Sequence, residues 1–599
     1  MGMWLVIRRI PSWVFPLALG VLLIFLPMLG LDYGTTRNLQ LACILALVVS
    51  GLNLSLGYAG ELAMGQAAMY AAGAYVAGLM SVHGHTDLFL QIIVASAVAL
   101  VVGVVTGIPA LRLGSWSLAM TSFFLVLLIP DVLSIFSVQT GGQNGLTGMV
   151  PATLFGGTIS TEAFYIVVVV VMIAWFAVFR NLVVSRHGVA FRTLKQSPIL
   201  ASAQGISVYR MKLTAFAIGA IPAGLAGALF ANLDLYISPL SFSFTIAMTV
   251  LAASILGGSA SVYGAFAGAL IMQFGPNQST EFQDYALIFY GIFLIVGGVL
   301  LSGGLAKYAK LGIAKLDRMA GWAPPTPTAR PGDALPEQAI AGEKLVVSGL
   351  EKSFGGNKAL NGVELTALPG QITALIGPNG SGKTTLMNMI GGFYRSDAGV
   401  IRLGDGELQT LTSDAVARRG VARTFQTPNI PEEITVLEAV QTGRYTTDRV
   451  SMLASILRLP KYWKVKHEDH FEAMRVLELV GLAEQAHEKA SDLPLGNRRL
   501  LELARAVVAR PGLLLLDEIA SGLDEHEIVR LAELVRQIRA AGSTVVLVEH
   551  NFDLVLKLSD VIYVLAQGQV IAEGTPDEIE TNPRVLTEYL GISVEEVSS

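Results

Sequence analysis

The stretch Gly377-Pro378-Asn379-Gly380-Ser381-Gly382-Lys383-Thr384 constrains this chain more than any other. It fits the pattern G-x-x-x-x-G-K-[ST], and Thr385 follows it. Residues 371–376 before it form a short apolar run suited to a buried strand, and 385–390 after it are compatible with a helix. The glycines let backbone N–H groups turn inward around a chain of phosphates, and the helix N-terminus adds its partial positive charge. Lys383 is expected to reach β- and γ-phosphates, and the Thr384 hydroxyl to take a place on Mg²⁺.

Five further features accompany the loop. Residues 513–518, LLLLDE, read as a buried strand ending in two carboxylates. Asp517 is placed to hold Mg²⁺ through water, and Glu518 to polarise an attacking water. Gln426, in Thr424-Phe425-Gln426, is expected near the metal and the γ-phosphate. Residues 545–550 read as another strand, ending in His550, which can contact the γ-phosphate. Ser521, Gly522, Leu523 and Asp524 follow the carboxylates closely. Phe354, upstream of the loop, could stack on adenine. Apolar runs alternate with helical patterns through this half, which indicates an α/β domain.

The half before it belongs to another physical class. Of 599 residues, 53% are hydrophobic and only 15% charged, and the apolar excess lies before about residue 305. Apolar stretches of spanning length fall near 13–30, 38–57, 62–80, 88–108, 115–136, 162–180, 212–232 and 284–303. A ninth, 246–276, is too long for one span and is interrupted by Gly257-Gly258. Arg8 and Arg9 put the N-terminus inside, and no A-x-A site follows, so the first segment is expected to stay as a membrane helix. Arg180, Arg186, Arg192, Lys195, Arg210 and Lys212 mark one loop as cytoplasmic, and Lys307, Lys310, Lys315 and Arg318 mark the end of the half. Both ends inside require an even count, which gives about ten crossings if Gly257-Gly258 splits its stretch in two. A re-entrant hairpin elsewhere is the competing solution.

The small residues Gly103, Gly107, Gly264 and Gly268 are expected to let helices approach closely. His83 and His85 read as a solvated outer loop, as do the glycine-rich residues 140–148. Glu61 either lines a pathway or sits at the cytoplasmic face. In the loop 181–212, Ser197 and Pro198 suit the start of a short helix through Ala201 and Ala203, and Gly205 suits its end. Such a helix across the inner mouth of a pore would make a mechanical contact. The Pro-rich stretch after it reads as a tether. The expected division is 1–318 membrane domain, 319–342 linker and 343–599 α/β P-loop domain with a helical subdomain. The single cysteine, Cys43, rules out an internal disulfide. The net charge of −5 gives no sign of nucleic-acid binding.

On these motifs the second half resembles the nucleotide-binding domain of an ABC transporter over its full length. The resemblance implies ATP and Mg²⁺, and makes GPNGSGKT the Walker A, LLLLDE the Walker B, and Gln426, Ser521–Asp524 and His550 the Q-, D- and H-loops. It also assigns a signature, Leu493, Pro494, Leu495, Gly496 and Asn497, which acts on the partner subunit's ATP. The usual pattern is LSGGQ, so Pro494 replaces a serine. The first half is similar to a permease of the branched-chain amino-acid importer family over most of 38–303. Glu61 and Gln66 depart from what that family leads one to expect.

The resemblance therefore implies a permease fused to its ATPase, importing an amino acid or related small solute across a bacterial inner membrane, with the ATPase domain in the cytoplasm. It implies a second permease and second ATPase, as unlike chains or as another copy, and an external solute-binding protein. An exporter half and an ATP-gated sensor or regulator are the alternatives. Exporter halves carry fewer spans and long polar helix extensions, which this chain lacks.

Overall fold

A computed structural model describes residues 2–11, 13–275, 285–299, 301, 303–322 and 339–588. The chain divides into two compact units, Met1–Val184 with Tyr209–Ala323, and Ser185–Val208 with Pro324–Ser599. Most of the expected linker, 323–338, lies outside the described residues.

Among its described residues the first unit is helical apart from loops and one short hairpin, Thr153–Leu154 with Gly157–Thr158. Helices suit an apolar solvent because they satisfy every backbone group internally. Tyr33–Leu52 is the most enclosed, and it runs on through a π-helical turn, Asn53–Tyr58. The Asp32 carboxylate caps it by accepting from the Thr35 N–H at 3.0 Å. Neighbouring helices touch through glycine. A Cβ on Gly51 would lie 2.1 Å from the Gly219 carbonyl oxygen, and one on Gly268 would lie 1.9 Å from that of Ala253. Gly103 meets Ala220 and Gly107 meets Phe216, so these small residues pack helix Leu88–Arg112 on helix Val208–Asp234.

The count of about ten crossings needs correction. Among the described residues six helices are long and apolar enough to span, or seven if the bent pair Trp116–Leu127 and Ile129–Ile135 is one span. That pair turns by 47°, at Pro130, whose ring cannot continue the hydrogen-bond ladder. The break at Gly257-Gly258 is present, with Gly258 at φ +104. The piece after it, Gly264–Phe274, has only 11 residues. At 1.5 Å per residue that reaches about half of a ~30 Å hydrocarbon core. Gln66–Val82, with 17 residues, is at the lower limit for a span.

The second unit is built on two sheets. The larger runs in the order Gln569–Gly574, Val561–Ala566, Ile372–Ile376, Thr544–Val548, Leu513–Asp517, Val421–Arg423. All its pairs are parallel except the outer one between 561–566 and 569–574. Its three central strands are buried at every position, which is why they read as unbroken apolar runs. The smaller sheet is antiparallel: Asn357–Ala367, Leu345–Phe354, Ala398–Leu403, Gly406–Glu407. Helices Val436–Gly443, Pro460–Leu479 and Leu495–Val507 pack together as a helical group beside them. Ser185–Val208 adds helices Arg186–Gln196 and Pro198–Ala203 to this unit.

Candidate nucleotide site and its connections

Sheet register places the chemistry. Val548 pairs with Asp517 on one side and with Leu375 on the other. Parallel strands at matched height therefore release Gly377, Glu518 and His550 at one carboxyl edge, where α/β sheets hold their ligands. Gly377, Gly380 and Gly382 take φ of +146°, +82° and +106°. A Cβ on Gly377 would lie 1.9 Å from the Leu565 carbonyl oxygen, so the turn admits only glycine there. Helix Lys383–Ile390 starts directly after. The Lys383 ammonium donates to the Gly377 and Pro378 carbonyls at 2.7 and 3.0 Å. Burial lowers its pKa, and the nearby Glu518 and Asp517 charges oppose that.

The loop opens into a cleft of about 480 Å³ lined by Asn379, Gly380, Ser381, Gly382, Lys383, Thr384, Thr385, Gln426, Glu518 and His550. Glu518 is the hub. Its Oε2 accepts from Gln426 Nε2 at 2.7 Å, and its Oε1 lies 2.9 Å from His550 Nε2. Asp517 sits behind it, with Oδ2 accepting from Arg423 Nη2 at 3.0 Å. Burial raises the Asp517 pKa against the opposing pull of Arg423. Asp517 Oδ1 and Ser381 Oγ are buried with no hydrogen-bond partner. Orphaned oxygens beside a lysine, a threonine hydroxyl and a carboxylate fit a phosphate chain and a divalent cation.

Some expected residues stand apart from this cleft. Phe354 ends a strand opposite Asn357, which lines the cleft, but the residue is 44% exposed and its ring packs edge-on against Tyr394 at 5.4 Å. Leu493, Pro494, Leu495, Gly496 and Asn497 lie at the start of helix Leu495–Val507, with Pro494 as its N-cap and no side-chain cap. Leu495 is exposed, and a Cβ on Gly496 would meet the Glu527 carboxylate at 2.2 Å. Ser521, Gly522 and Leu523 lead into Asp524, which caps helix Glu525–Ala540 in a capping box with Glu527. A Cβ on Gly522 would lie 3.4 Å from Leu495, so these two segments adjoin.

The sequence reading passed over a buried charge network on helix Leu495–Val507. Glu502 Oε1 accepts from the Phe425 N–H at 3.0 Å and from Arg505 Nη2 at 3.2 Å. Arg499 donates to the Phe425 carbonyl at 3.3 Å, and Arg505 Nη1 to the Asn429 carbonyl at 3.0 Å. Burial pushes the Glu502 carboxyl up to about 7, with Arg505 opposing. The available signal was three charges at i, i+3 and i+6 inside an otherwise apolar helix face.

That network ends on the loop between two apolar helices. Asn429 Nδ2 donates to Ser197 Oγ at 2.8 Å, and Arg418 Nη1 to the Gly205 carbonyl at 2.8 Å. Ser197 also caps its own helix, accepting from the Leu200 N–H at 3.1 Å, with Pro198 in the first turn. Leu200 and Ala201 are buried, and Ala203 is half-buried. Gly205, at φ +75, has no room for a Cβ, which would lie 2.2 Å from Thr446. Arg192 pairs with Glu438 at 2.8 Å. His187 Nε2 lies 3.2 Å from the Val450 carbonyl oxygen, and burial beside Arg186 pushes its pKa down to about 4.

In the first unit Glu61 is 3% exposed and pairs with Lys212 at 2.5 Å. Gln66 is buried with both amide atoms unpaired, at the crossing of Gly51 and Gly219.

Residues 35–297 match the family "Branched-chain amino acid transport system / permease component", and 360–521 match "ABC transporter". LivG of Escherichia coli, a high-affinity branched-chain amino acid transport ATP-binding protein, is 41% identical over 248 residues, which are 41% of this chain and 97% of the relative. BraF of Pseudomonas aeruginosa, described in the same words, gives the same identity and shares. An ATP-binding cassette of an ABC transporter, solved in its ADP conformation, is 33% identical over 42% of this chain and 99% of its own, with a TM-score of 0.37. A permease match is thus followed on one polypeptide by an ATPase match whose phosphate loop, carboxylates and histidine converge. The chain is a member of the ABC transporter family that moves branched-chain amino acids, a permease fused to its ATP-hydrolysing component.

Proposed function

We propose that this chain imports a branched-chain amino acid, or a related small acid or amide, across the bacterial inner membrane, with the ATPase domain in the cytoplasm. The observation that carries the coupled reading is a continuous polar path. It runs from Phe425, beside Gln426, through Glu502 and Arg505 to Asn429 and on to Ser197. A change at the γ-phosphate end has a route to the segment that joins helices Thr161–Val184 and Val208–Asp234. We take Ser197, Pro198, Ala201, Ala203 and Gly205 as the coupling helix and its stop.

In this reading the backbone of 379–384 and the Lys383 ammonium bind the phosphates of ATP. Thr384, Gln426 and the unpaired Asp517 Oδ1 would hold Mg²⁺, which when bound neutralises charge on the β- and γ-phosphates. Glu518 takes the proton of the attacking water, and His550 fixes the Glu518 carboxylate. Leu493–Asn497 and Ser521–Asp524 adjoin, and so can face a second ATPase together. Phe354 is the proposed adenine contact. Glu61, held by Lys212, and Gln66 are the pathway candidates. The similarity to LivG and BraF supports the substrate class, and the family supports a second permease, a second ATPase and an external solute-binding protein. The proposed domain limits are 1–318, 319–342 and 343–599, with the segment Ser185–Val208 packed on the last.

The test is uptake of labelled leucine, isoleucine and valine into vesicles holding this chain and its co-expressed partners, with ATP inside the cytoplasmic-face compartment. Uphill accumulation that needs ATP supports the reading. ATP-driven extrusion, or hydrolysis with no flux of any small amino acid, acid or amide, would sink it.

A further inference from the structure

The outermost strand of the larger sheet, Val421–Arg423, ends on a buried charge. Arg423 pairs in register with Leu515, and its side chain is only 5% exposed. Burying a guanidinium is costly unless its donors find partners. Here both terminal nitrogens do. Nη2 donates to Asp517 Oδ2 at 3.0 Å, and Nη1 to Asn388 Oδ1 at 2.7 Å. Asn388 lies on helix Lys383–Ile390, which follows the phosphate loop. The guanidinium carbon also lies 5.5 Å from the centre of the Phe393 ring and 5.4 Å from that of Phe425.

Asp517 is gripped from two directions. Its N–H donates to Thr424 Oγ1 at 3.1 Å, which fixes the strand end. Its Oδ2 is taken by Arg423, and Oδ1 is the buried oxygen left unpaired. A carboxylate held at one oxygen by a planar fork presents the other in one direction. The fork is itself held by Asn388 and the two rings. One side chain thereby joins the phosphate-loop helix, the strand of the two carboxylates and the segment leading to Gln426.

We infer that Arg423 is a positioning residue for the divalent cation, setting Asp517 Oδ1 as the oxygen available to it. This rests on the reading that Asp517 holds Mg²⁺. Arg423 stays outside the cleft lining and acts through Asp517. Metal-ligating carboxylates depend on such outer hydrogen bonds, whose loss typically costs about 10–100-fold in metal affinity. Charge and orientation act in opposite directions here. Removing a neighbouring positive charge would by itself tighten the binding of a cation. Removing the grip on Asp517 would weaken it. The direction of the change therefore identifies the role of Arg423.

The full-length chain carries Lys383, Asp517 and Arg423 together, so its own site can be loaded directly. Mn²⁺ is the probe, and the electron paramagnetic resonance signal of the free ion measures its binding with a non-hydrolysable ATP analogue. Arg423→Met keeps an apolar stem between the rings and should weaken Mn²⁺ about 10–100-fold. Arg423→Lys keeps a donor for Asp517 and should recover most of that affinity. Binding of the analogue in EDTA should be unchanged in both. The Mg²⁺ concentration for half-maximal ATP hydrolysis should rise in Arg423→Met, while the rate at saturating Mg²⁺ returns toward the original. Unchanged or tighter Mn²⁺ binding overturns the inference. An equal loss of metal-free analogue binding also overturns it, since Arg423 would then only hold the domain together. If Arg423→Met does not fold, Asn388→Ala frees the other prong and should weaken Mn²⁺ severalfold, and unchanged binding there overturns the inference. Asp517→Asn separates the two readings. Mn²⁺ binding that survives it removes Asp517 from the metal and takes down the reading beneath the inference. Loss there, with none in Arg423→Met, overturns the inference alone.

Discussion

Glu518 stands at φ +48 just past a strand end, with its N–H donating to the Val548 carbonyl at 2.8 Å and its carboxylate held by Gln426 and His550. Glu518→Gln keeps the shape and removes the base, so hydrolysis should fall about 10²–10⁴-fold with ATP binding retained. Phosphate release and filter binding measure the two, and turnover at near the original rate would take Glu518 out of the chemistry. Lys383→Ala should instead weaken nucleotide binding about 10–100-fold, the worth of one charged hydrogen bond. The phosphate loop was legible because its eight residues are contiguous and their conformation is local. The Arg423–Asp517 pair and the Glu502–Phe425 bond were not, because their partners lie 94 and 77 residues apart. No window of sequence shows that Arg423 and Glu502 are buried beside those groups.

At the scale of elements, the segment Ser185–Val208 and helix Leu495–Val507 decide how the site communicates. Gly205→Val adds bulk where a Cβ already lies 2.2 Å from Thr446, and at a positive φ. Uptake per ATP hydrolysed should drop severalfold while nucleotide binding holds, and unchanged stoichiometry would reduce the segment to a connecting loop. Ala201 is the poorer probe, because it is fully buried and a charge there would disturb folding. Glu502 offers a pH test. Its folded pKa of about 7 lies above the ordinary 4.5, so the folded domain holds the proton more tightly than the unfolded one. Its contribution is fully present below 4.5 and is lost as pH rises through about 7. Glu502→Gln should flatten that slope, worth up to about 3 kcal/mol, in denaturant titrations across this window. Elements were readable from the sequence where a strand is short and buried, as in LLLLD. Membrane segments were harder, because the length of an apolar run does not say whether Pro130 bends it or Gly258 ends it.

For the whole molecule, the open question is what faces this ATPase domain. Pro494 offers neither a hydroxyl nor a backbone N–H, so, under the role proposed for Leu493–Asn497, a second copy would place this departure at both ATP sites. An unlike partner with a serine there would leave one ordinary site. The chain should therefore hydrolyse ATP weakly alone and severalfold faster when co-purified with a second permease and ATPase. A homodimer with brisk, coupled hydrolysis would overturn that. Pro494→Ser should raise the rate only where this signature limits the cycle. The grip of Asn429 on Ser197 and of Arg418 on Gly205 has a further consequence in a fused chain. A separate subunit held by such side-chain contacts, Arg192 on Glu438 among them, would be lost on sufficient dilution. The Pro-rich stretch, read as a tether, would hold it near its loop at an effective concentration on the order of millimolar. The contact can then loosen and re-form in every cycle without the subunit being lost. Cleavage at a protease site inserted within 323–338 should make uptake fall as the protein is diluted, a dependence the intact chain should lack.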